Sequence, residues 1–283
     1  MKKQNKNKIK EGNQAVTAVL YILAAVAALI TLYPMYYVLI LSLSDPAYAA
    51  TMRVYLLPKG FNLSAFEVLI TDTKMWRAYT NTILYVLPTT VLMIATSTVV
   101  AFGLNYKKLI GRKFLTMFLL IPMYFAGGTI PSFLLMVKLG LYDNPLSQII
   151  PACFSIWNII LVKAYFRSIP ESLTEAARID GCSDFGIFTK IILPVIKPAM
   201  ASWGAITLIA RWNDFFWPLL YLRKQAKYTL MVTISLLPVS EGLSTPWPVI
   251  LAGTTLVIIP IIILYLILEK FQKAGMMEGA VKG

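Results

Sequence analysis

Residues 175–194 read EAARIDGCSDFGIFTKIILP, a polar stretch between two apolar runs of a 283-residue chain. Its first ten residues carry four ionisable side chains, those of Glu175, Arg178, Asp180 and Asp184. Inside a bilayer, these charges and the backbone around them would have no water to bond. The stretch is therefore predicted to lie outside the hydrocarbon as a docking element for a soluble partner, whose movement shifts the membrane spans on either side.

The composition around this stretch is that of a polytopic membrane protein. Soluble domains carry about 25% charged residues, whereas this chain has 14% charged and 58% hydrophobic residues. The net charge of +13 is more typical of cationic cytoplasmic loops than of nucleic-acid binding. There are no histidines, and Cys153 lies in an apolar run while Cys182 lies in the polar stretch. We therefore expect no metal site and no disulfide.

Six runs of uncharged or nearly uncharged residues approach the roughly 20 residues that cross a bilayer. They are Ala15–Ser44, Ala78–Tyr106, Phe114–Val137, Asn144–Val162, Pro198–Leu222 and Gly242–Leu268. The predicted fold is all-α, with six transmembrane helices in one domain, residues 15–270. A basic tail, 1–14, precedes this domain and a second tail, 271–283, follows it. The docking element, with its flanks 168–198, joins the fourth and fifth helices.

Lysine and arginine are unevenly divided between the connecting segments. If the N-terminus is cytoplasmic, the inner segments carry seventeen of these residues and the outer segments eight. Because inner loops of membrane proteins are enriched in both residues, both termini and the docking element are predicted to be cytoplasmic. The first outer segment, Asp45–Arg77, is predicted to contain a short surface helix within PKGFNLSAFEVLI. In the third span, Gly127, Gly128 and Pro131 predict a break.

The docking element has signals for two helices. Ser168 or Ile169 can precede a first helix that starts at Pro170, where the missing N–H has no partner to lose. Glu175 and Arg178 are three residues apart and can pair on one face of that helix. The first helix offers alanines and acids, a poor surface for lipid, so a partner-free interfacial turn is the less favoured interpretation.

The junction between these helices also follows from residue chemistry. Gly181 supplies the left-handed conformation that ends a helix, and Ser183 is a suitable N-cap for the next one. Pro194 and Pro198 then lead the second helix into the fifth span. The prediction is a helix–Gly–helix element tied at both ends to membrane spans.

Charges within the predicted fifth span form a second candidate site. Ionisable residues inside a membrane mark transport pathways by default, but Arg211 and Asp214 are also three apart and can simply pair. Trp212, Asn213 and Trp217 suit a sugar, because aromatic faces stack on pyranose rings and amides bond hydroxyls. The same aromatic residues can instead pack against a second membrane subunit, and both interpretations stay open.

A spaced motif carries a family resemblance. Glu-Ala-Ala, three residues, Gly, nine residues, Ile, one residue and Leu-Pro are met at Glu175–Ala177, Gly181, Ile191, Leu193 and Pro194. This pattern resembles the cytoplasmic EAA loop of ATP-binding-cassette importer permeases. Further matches resemble the carbohydrate branch, and within it the smaller six-span permease of maltose-type oligosaccharide importers. They are Ile169-Pro170, Asp180-Gly181, Trp212-Asn213-Asp214-Phe215, Trp217-Pro218 and the tail Gly279–Gly283.

The resemblance implies a role for each residue of the docking element. In that family the loop helix sits in a cleft of an ATPase subunit, and its glutamate faces a basic residue there. Glu175 would take that part, Ala176 and Ala177 the close packing, and Gly181 the turn, although Cys182 stands where the family often has alanine. The remaining coupling residues would be Arg178, Asp180, Phe185 and Pro194.

The resemblance also implies partners. These are a second homologous permease, two ATPase subunits, an extracellular or periplasmic solute-binding protein and membrane lipid, in a bacterial or archaeal cell membrane. The chain has no G-x-x-x-x-G-K-[ST] phosphate loop, so it is not expected to be an enzyme or to bind a cofactor, and ATP and Mg belong to the partner ATPase.

Two alternatives remain at this stage. An importer for a non-sugar solute differs only in what its binding protein carries. An ion-coupled secondary transporter needs intramembrane carboxylates, usually in related halves, and this sequence offers only Asp214.

Overall fold

The structure, a computed structural model, describes residues 2–107, 109–166, 169–240 and 247–280. Across those ranges the regular structure is helical throughout, which confirms the predicted fold class. In the same described ranges, two 3-10 turns (Pro151–Cys153, Gln225–Lys227) and one π-helical segment (Phe188–Ile192) accompany the α-helices. The α-helices are α1 Lys2–Ser42, α2 Pro46–Ala50, α3 Ser64–Thr71, α4 Thr73–Asn105, α5 Arg112–Tyr124, α6 Thr129–Lys138, α7 Leu146–Ile149, α8 Ile156–Phe166, α9 Glu171–Ile179, α10 Asp184–Ile187, α11 Leu193–Trp212, α12 Phe216–Tyr221, α13 Leu230–Ser240 and α14 Trp247–Ala280.

The chain divides into two compact units. The first comprises Met1–Thr71 and Leu237–Leu256, and the second comprises Asp72–Leu236 and Val257–Gly283. In the first unit, α3 is the short helix predicted in the first outer segment. α2 was not predicted from the sequence, although Asp45 caps it by accepting a hydrogen bond from the Ala47 N–H at 2.9 Å. A small buried core comprises Ile40, Leu41, Ala49 and Val54.

Among the described residues, five helical stretches are long and apolar enough to cross a membrane. They are Val16–Ser42, Thr73–Asn105, Leu146–Phe166, Asp184–Trp212 and Trp247–Ile267. The pair α5 and α6 passes the same test only together, and it bends by 113° between Tyr124 and Thr129. If that pair counts as one span, the total is the predicted six. The predicted break at the two glycines is confirmed, with Gly128 at φ +89°.

Other helix boundaries in the structure differ from the predicted ones. α1 runs through the predicted N-terminal tail, and α14 runs on to Ala280, past the predicted end of the sixth span. The predicted start of that span, Gly242, and the tail residues 281–283 lie outside the described ranges. In the fourth span the helix is interrupted at Pro151, where a 3-10 turn replaces it, because proline cannot donate the backbone hydrogen bond that a continuing helix needs.

Within the second unit, α4 is the central helix and packs against α8 and α11. Asn105 joins its end to α8 by donating from Nδ2 to the Lys163 carbonyl at 3.2 Å. Lys163 is itself buried, and its Nζ donates to Thr116 Oγ1 of α5 at 2.8 Å. Gly204 lets α11 approach α4 closely, since a Cβ there would lie 2.8 Å from Ile94 Cδ1. These contacts hold α11, the helix that connects both candidate sites.

Candidate docking element and solute cavity

The first helix of the docking element ends in a glycine turn, as predicted. α9 begins at Glu171, one residue later than expected, and Pro170 is its N-cap. At its other end Gly181 has φ +76°. The Cys182 N–H donates to the Ala177 carbonyl at 2.9 Å and the Gly181 N–H to the Arg178 carbonyl at 3.1 Å. This pair of bonds defines a Schellman motif, in which the left-handed residue satisfies the last carbonyls of the helix.

The second helix continues directly into a membrane span. Ser183 is its N-cap, and its Oγ accepts a hydrogen bond from the Gly186 N–H at 3.2 Å. From Asp184 the helix runs through the π-helical segment into α11 and ends at Trp212. Pro194 lies in the first turn of α11 after the π-helical segment, and the helix continues past it. The predicted link between the second helix and the fifth span is therefore confirmed.

Arg178 binds across the turn and not along its own helix. Its Nη2 donates to Asp184 Oδ1 at 3.1 Å, and its guanidinium carbon lies 5.3 Å from the centre of the Tyr106 ring. The predicted pair between Glu175 and Arg178 is wrong, because the turn at Gly181 returns Asp184 to the arginine. Arg178 thus joins α9, α10 and the end of α4.

A buried cluster fixes the docking element to the spans. Ala177 of α9, Ile187 of α10 and Ile192 of the π-helical segment pack with Val162 and Phe166 of α8. Residues from α4, the link to α9 and α11 complete the cluster, and they are Ala101, Ile169 and Ile196. Ala177 is only 7% exposed. The expectation that both alanines are available to a partner is therefore wrong for Ala177, which packs inside the chain.

The opposite face of the element is open. Glu175 and Ala176 are exposed, and Glu175 forms no ion pair with any described residue. On either side of the turn, Ile179 is 86% exposed and Phe185 is 75% exposed. Exposed apolar area beside a polar turn is available to a protein partner. Ile179 was not among the predicted docking residues, although its place beside Arg178 at the end of a polar helix is a usable signal.

The far end of α11 carries the second candidate site. Arg211 Nη1 donates to Asp214 Oδ2 at 3.1 Å, so the two residues do pair. Trp212 is buried and its Nε1 donates to the Val257 carbonyl at 3.3 Å. Asn213 Nδ2 donates to the Ile209 carbonyl at 2.9 Å. The fifth span is predicted to run to Leu222, but the helix ends at Trp212. The polar residues from Arg211 to Asp214 lie where it ends.

Two cavities adjoin Arg211. One has a volume of about 230 Å³ and the other about 360 Å³, and both are lined by Arg211 and Ala152. Of the other predicted pathway residues, Trp217 lines the larger cavity, whereas Trp212, Asn213 and Asp214 line neither. The larger cavity also has polar and aromatic walls that were not predicted from the sequence, formed by Ser132, Ser147, Gln148 and Tyr221. These residues come from three helices, α6, α7 and α12, and no local sequence pattern joins the three.

An aspartate cluster holds the segment that follows α12. Asp143 Oδ1 accepts from the backbone N–H groups of Arg223 at 3.0 Å and Lys224 at 3.1 Å, and Oδ2 accepts from Lys227 Nζ at 2.9 Å. The Asp143 N–H donates to the Tyr221 carbonyl at 2.8 Å. The hydrogen bond from Lys227 is the main cause that lowers the pKa of Asp143 to about 2. The carboxylate is thus ionised at neutral pH and anchors the chain next to Tyr221, a wall of the larger cavity.

Several described helices can span a membrane, and one of them has an exposed turn at one end and a cavity at the other. The fold is therefore that of a polytopic membrane protein with a candidate solute cavity. Comparison with known proteins specifies which kind. The chain belongs to the family of binding-protein-dependent transport system inner membrane components, whose sequence profile matches residues 105–276.

Relatives and a solved structure agree with this family. The chain is 30% identical over 284 residues to the polygalacturonan/rhamnogalacturonan transport system permease protein YtcP of Bacillus subtilis, with 96% of this chain and 99% of the relative covered. It is 31% identical to the arabinooligosaccharides transport system permease protein AraQ of Halalkalibacterium halodurans, covering 80% and 81%. A chain in the crystal structure of a bacterial ABC transporter involved in the import of the acidic polysaccharide alginate is 33% identical, with a TM-score of 0.83 over 92% of this chain and 97% of that one. The resemblance to importer permeases is confirmed.

Proposed function

We propose that this chain is the smaller permease of an ATP-driven importer of oligosaccharides and that it works with a second permease, two ATPase subunits and an external solute-binding protein. ATP and Mg bind the ATPase subunits, and both termini of this chain face the cytoplasm with the docking element. The named substrates of the relatives, polygalacturonan, rhamnogalacturonan, arabinooligosaccharides and alginate, support a carbohydrate and leave its charge open.

One observation carries the proposal. The exposed turn of the docking element and the cavity at Arg211 lie at opposite ends of one continuous helix, Asp184–Trp212. A force on the turn is therefore delivered to the helix that forms the cavity. A loop without such a connection would absorb the same displacement.

The exposed face offers chemistry suited to an ATPase cleft. Glu175 is available for a basic residue of the partner, and Ile179 and Phe185 supply apolar area on either side of the turn. Ala176, exposed and small, permits a close approach. Burial of apolar side chains at the centre of an interface, with charges at its rim, is the usual arrangement of protein contacts.

The mechanism follows from linkage between two states. ATP binding closes the ATPase pair and draws this docking element towards the corresponding loop of the second permease. That movement favours one arrangement of the permease bundle over the other. Ala177, Ile187 and Ile192 pass that displacement to α8 and α11 through the buried cluster. The bundle alternates between inward-facing and outward-facing forms, and the loaded binding protein favours the outward one.

The test is affinity purification of the tagged chain in mild detergent, after expression in its native host. We expect one homologous permease and two ATPase copies to co-purify. Glu175→Lys should release the ATPases and leave the permease pair intact. Glu171→Lys is the matched control, since Glu171 lies on the same helix but already pairs with Lys107. Equal ATPase retention in both variants would contradict docking through Glu175.

A further inference from the structure

We propose that the larger cavity is a subsite for a sugar unit that carries a carboxylate, with Arg211 as the residue that recognises its charge. The inference rests on the proposed import of oligosaccharides and narrows the class of solute. The volume of about 360 Å³ falls within the range of roughly 300–1,000 Å³ that small-molecule sites occupy.

Arg211 has donors to spare. It is the one charged residue that lines either cavity in the described part of the chain. A guanidinium has five N–H donors in a planar fork, and the pair with Asp214 uses Nη1 alone. The side chain is 36% exposed. Its remaining N–H groups can bind a carboxylate, the anion whose geometry a guanidinium matches with two parallel hydrogen bonds.

Asp214 sets the strength of this interaction. Its side chain is 15% exposed, and Oδ1 lies 3.4 Å from the Trp217 backbone N–H. Because Asp214 does not line the cavity but does pair with Arg211, it neutralises the arginine when no solute is bound. An entering carboxylate must share the guanidinium with Asp214, which favours passage over permanent binding.

The other walls suit a sugar ring. Trp217 and Tyr221 are stacked, with ring centres 5.4 Å apart and an angle of 25° between the planes, and aromatic faces of this kind accept the C–H face of a pyranose. Ser147 and Gln148 form a hydrogen-bonded pair at 3.0 Å, and Ser132 adds a hydroxyl. Such groups exchange hydrogen bonds with sugar hydroxyls, while Arg211 distinguishes an acidic unit from a neutral one.

The test measures equilibrium binding of two radiolabelled probes to the purified importer complex in lipid nanodiscs. The probes are trigalacturonate and its trimethyl ester, which have the same length but differ in charge. For the unaltered complex we expect the acid to bind more tightly than the ester. Arg211→Gln should weaken binding of the acid by roughly tenfold or more, the usual range for a lost charge-assisted hydrogen bond, and should leave the ester within about twofold.

Two further variants sharpen the result. Arg211→Lys keeps the charge without the planar fork and should recover only part of the affinity for the acid. Asp214→Asn keeps an oxygen facing the Trp217 N–H but removes the competing charge, so it should strengthen binding of the acid and leave the ester unchanged. A structural role for the pair would make both substitutions weaken both probes.

The outcomes separate this inference from the proposed function. Equal loss of acid and ester in Arg211→Gln, or no binding of either probe to the unaltered complex, overturns the acidic subsite. Neither result bears on the ATPase contact, which the purification experiment judges independently. Loss of ATPase from unaltered preparations would overturn the importer itself.

Discussion

The two ends of the helix Asp184–Trp212 are built in different ways. At the docking end, the contacts that shape the turn lie close together in sequence: the glycine turn, the Ser183 cap and the pair between Arg178 and Asp184. At the cavity end, Trp212 binds the distant Val257 carbonyl, and several separate helices line the cavity. The docking end is therefore shaped by local contacts, whereas the shape of the cavity depends on how the neighbouring helices are arranged. At 1.5 Å per residue the ends are roughly 40 Å apart.

The largest expected effect comes from breaking the helix between these ends. Ile206→Pro removes a backbone donor in the middle of α11 and should cost about 3 kcal/mol or more locally. Because Ile206 is 66% exposed, the substitution removes little buried area. We expect ATPase subunits to co-purify normally while solute uptake into proteoliposomes is lost.

Ile206→Ala is the control for this experiment, since it shortens the same side chain and leaves the helix intact. It should retain most of the uptake. Uptake by the proline variant at the unaltered rate would show that force does not travel along α11. The docking end and the cavity end would then not be mechanically coupled.

The next effect tests whether the turn at Gly181 holds the docking element in shape before a partner binds. Gly181→Ala places a Cβ at φ +76°, although nothing lies within 4 Å of it, so the cost is purely conformational and roughly 1–2 kcal/mol. Gly103→Ala introduces the same methyl group in open space within the helix α4, where it should gain about 0.5–1 kcal/mol. Thermal melting and ATPase retention should both fall in the first variant only.

The docking end was largely predictable from sequence because its determinants are local. Gly181 and Ser183 each act on the backbone within three residues, so their spacing alone specifies the turn and the cap. The same locality explains the predicted break at Gly127 and Gly128. The predicted partner of Arg178 was wrong, because only the folded turn brings Asp184 to the arginine.

The cavity end could not be predicted in the same way. Arg211 and Trp217 were candidates on residue type, but Ser147 and Gln148 reach the cavity only through packing of separate helices. Hydropathy also extended the fifth span beyond Trp212, because a short polar interruption is averaged out among apolar neighbours. The break is visible only from the hydrogen bonds that Asn213 and Asp214 make with nearby backbone groups.

A smaller effect concerns the anchor beside the cavity. Asp143→Asn removes the charge that binds Lys227 and should lower the Tm by a few degrees at pH 7. A lowered carboxylate pKa stabilises the fold above the unfolded pKa of about 4, and this contribution is lost as the pH falls through the folded pKa of about 2. The Tm difference between the two proteins should therefore stay constant from pH 7 to pH 5. A difference that shrinks over that range would contradict the assigned pKa.

The smallest effect concerns the ion pair between Arg178 and Asp184 in the docking element. The side chains of Arg178 and Asp184 are 46% and 52% exposed, so their ion pair should contribute only about 0.2–1 kcal/mol. A double-mutant cycle with Arg178→Gln and Asp184→Asn, read by thermal melting, measures that coupling directly. If the backbone turn at Gly181 positions the docking element, both single variants should retain the ATPase. A coupling energy well above this range, together with loss of the ATPase in either variant, would show that the ion pair and not the glycine positions the docking element.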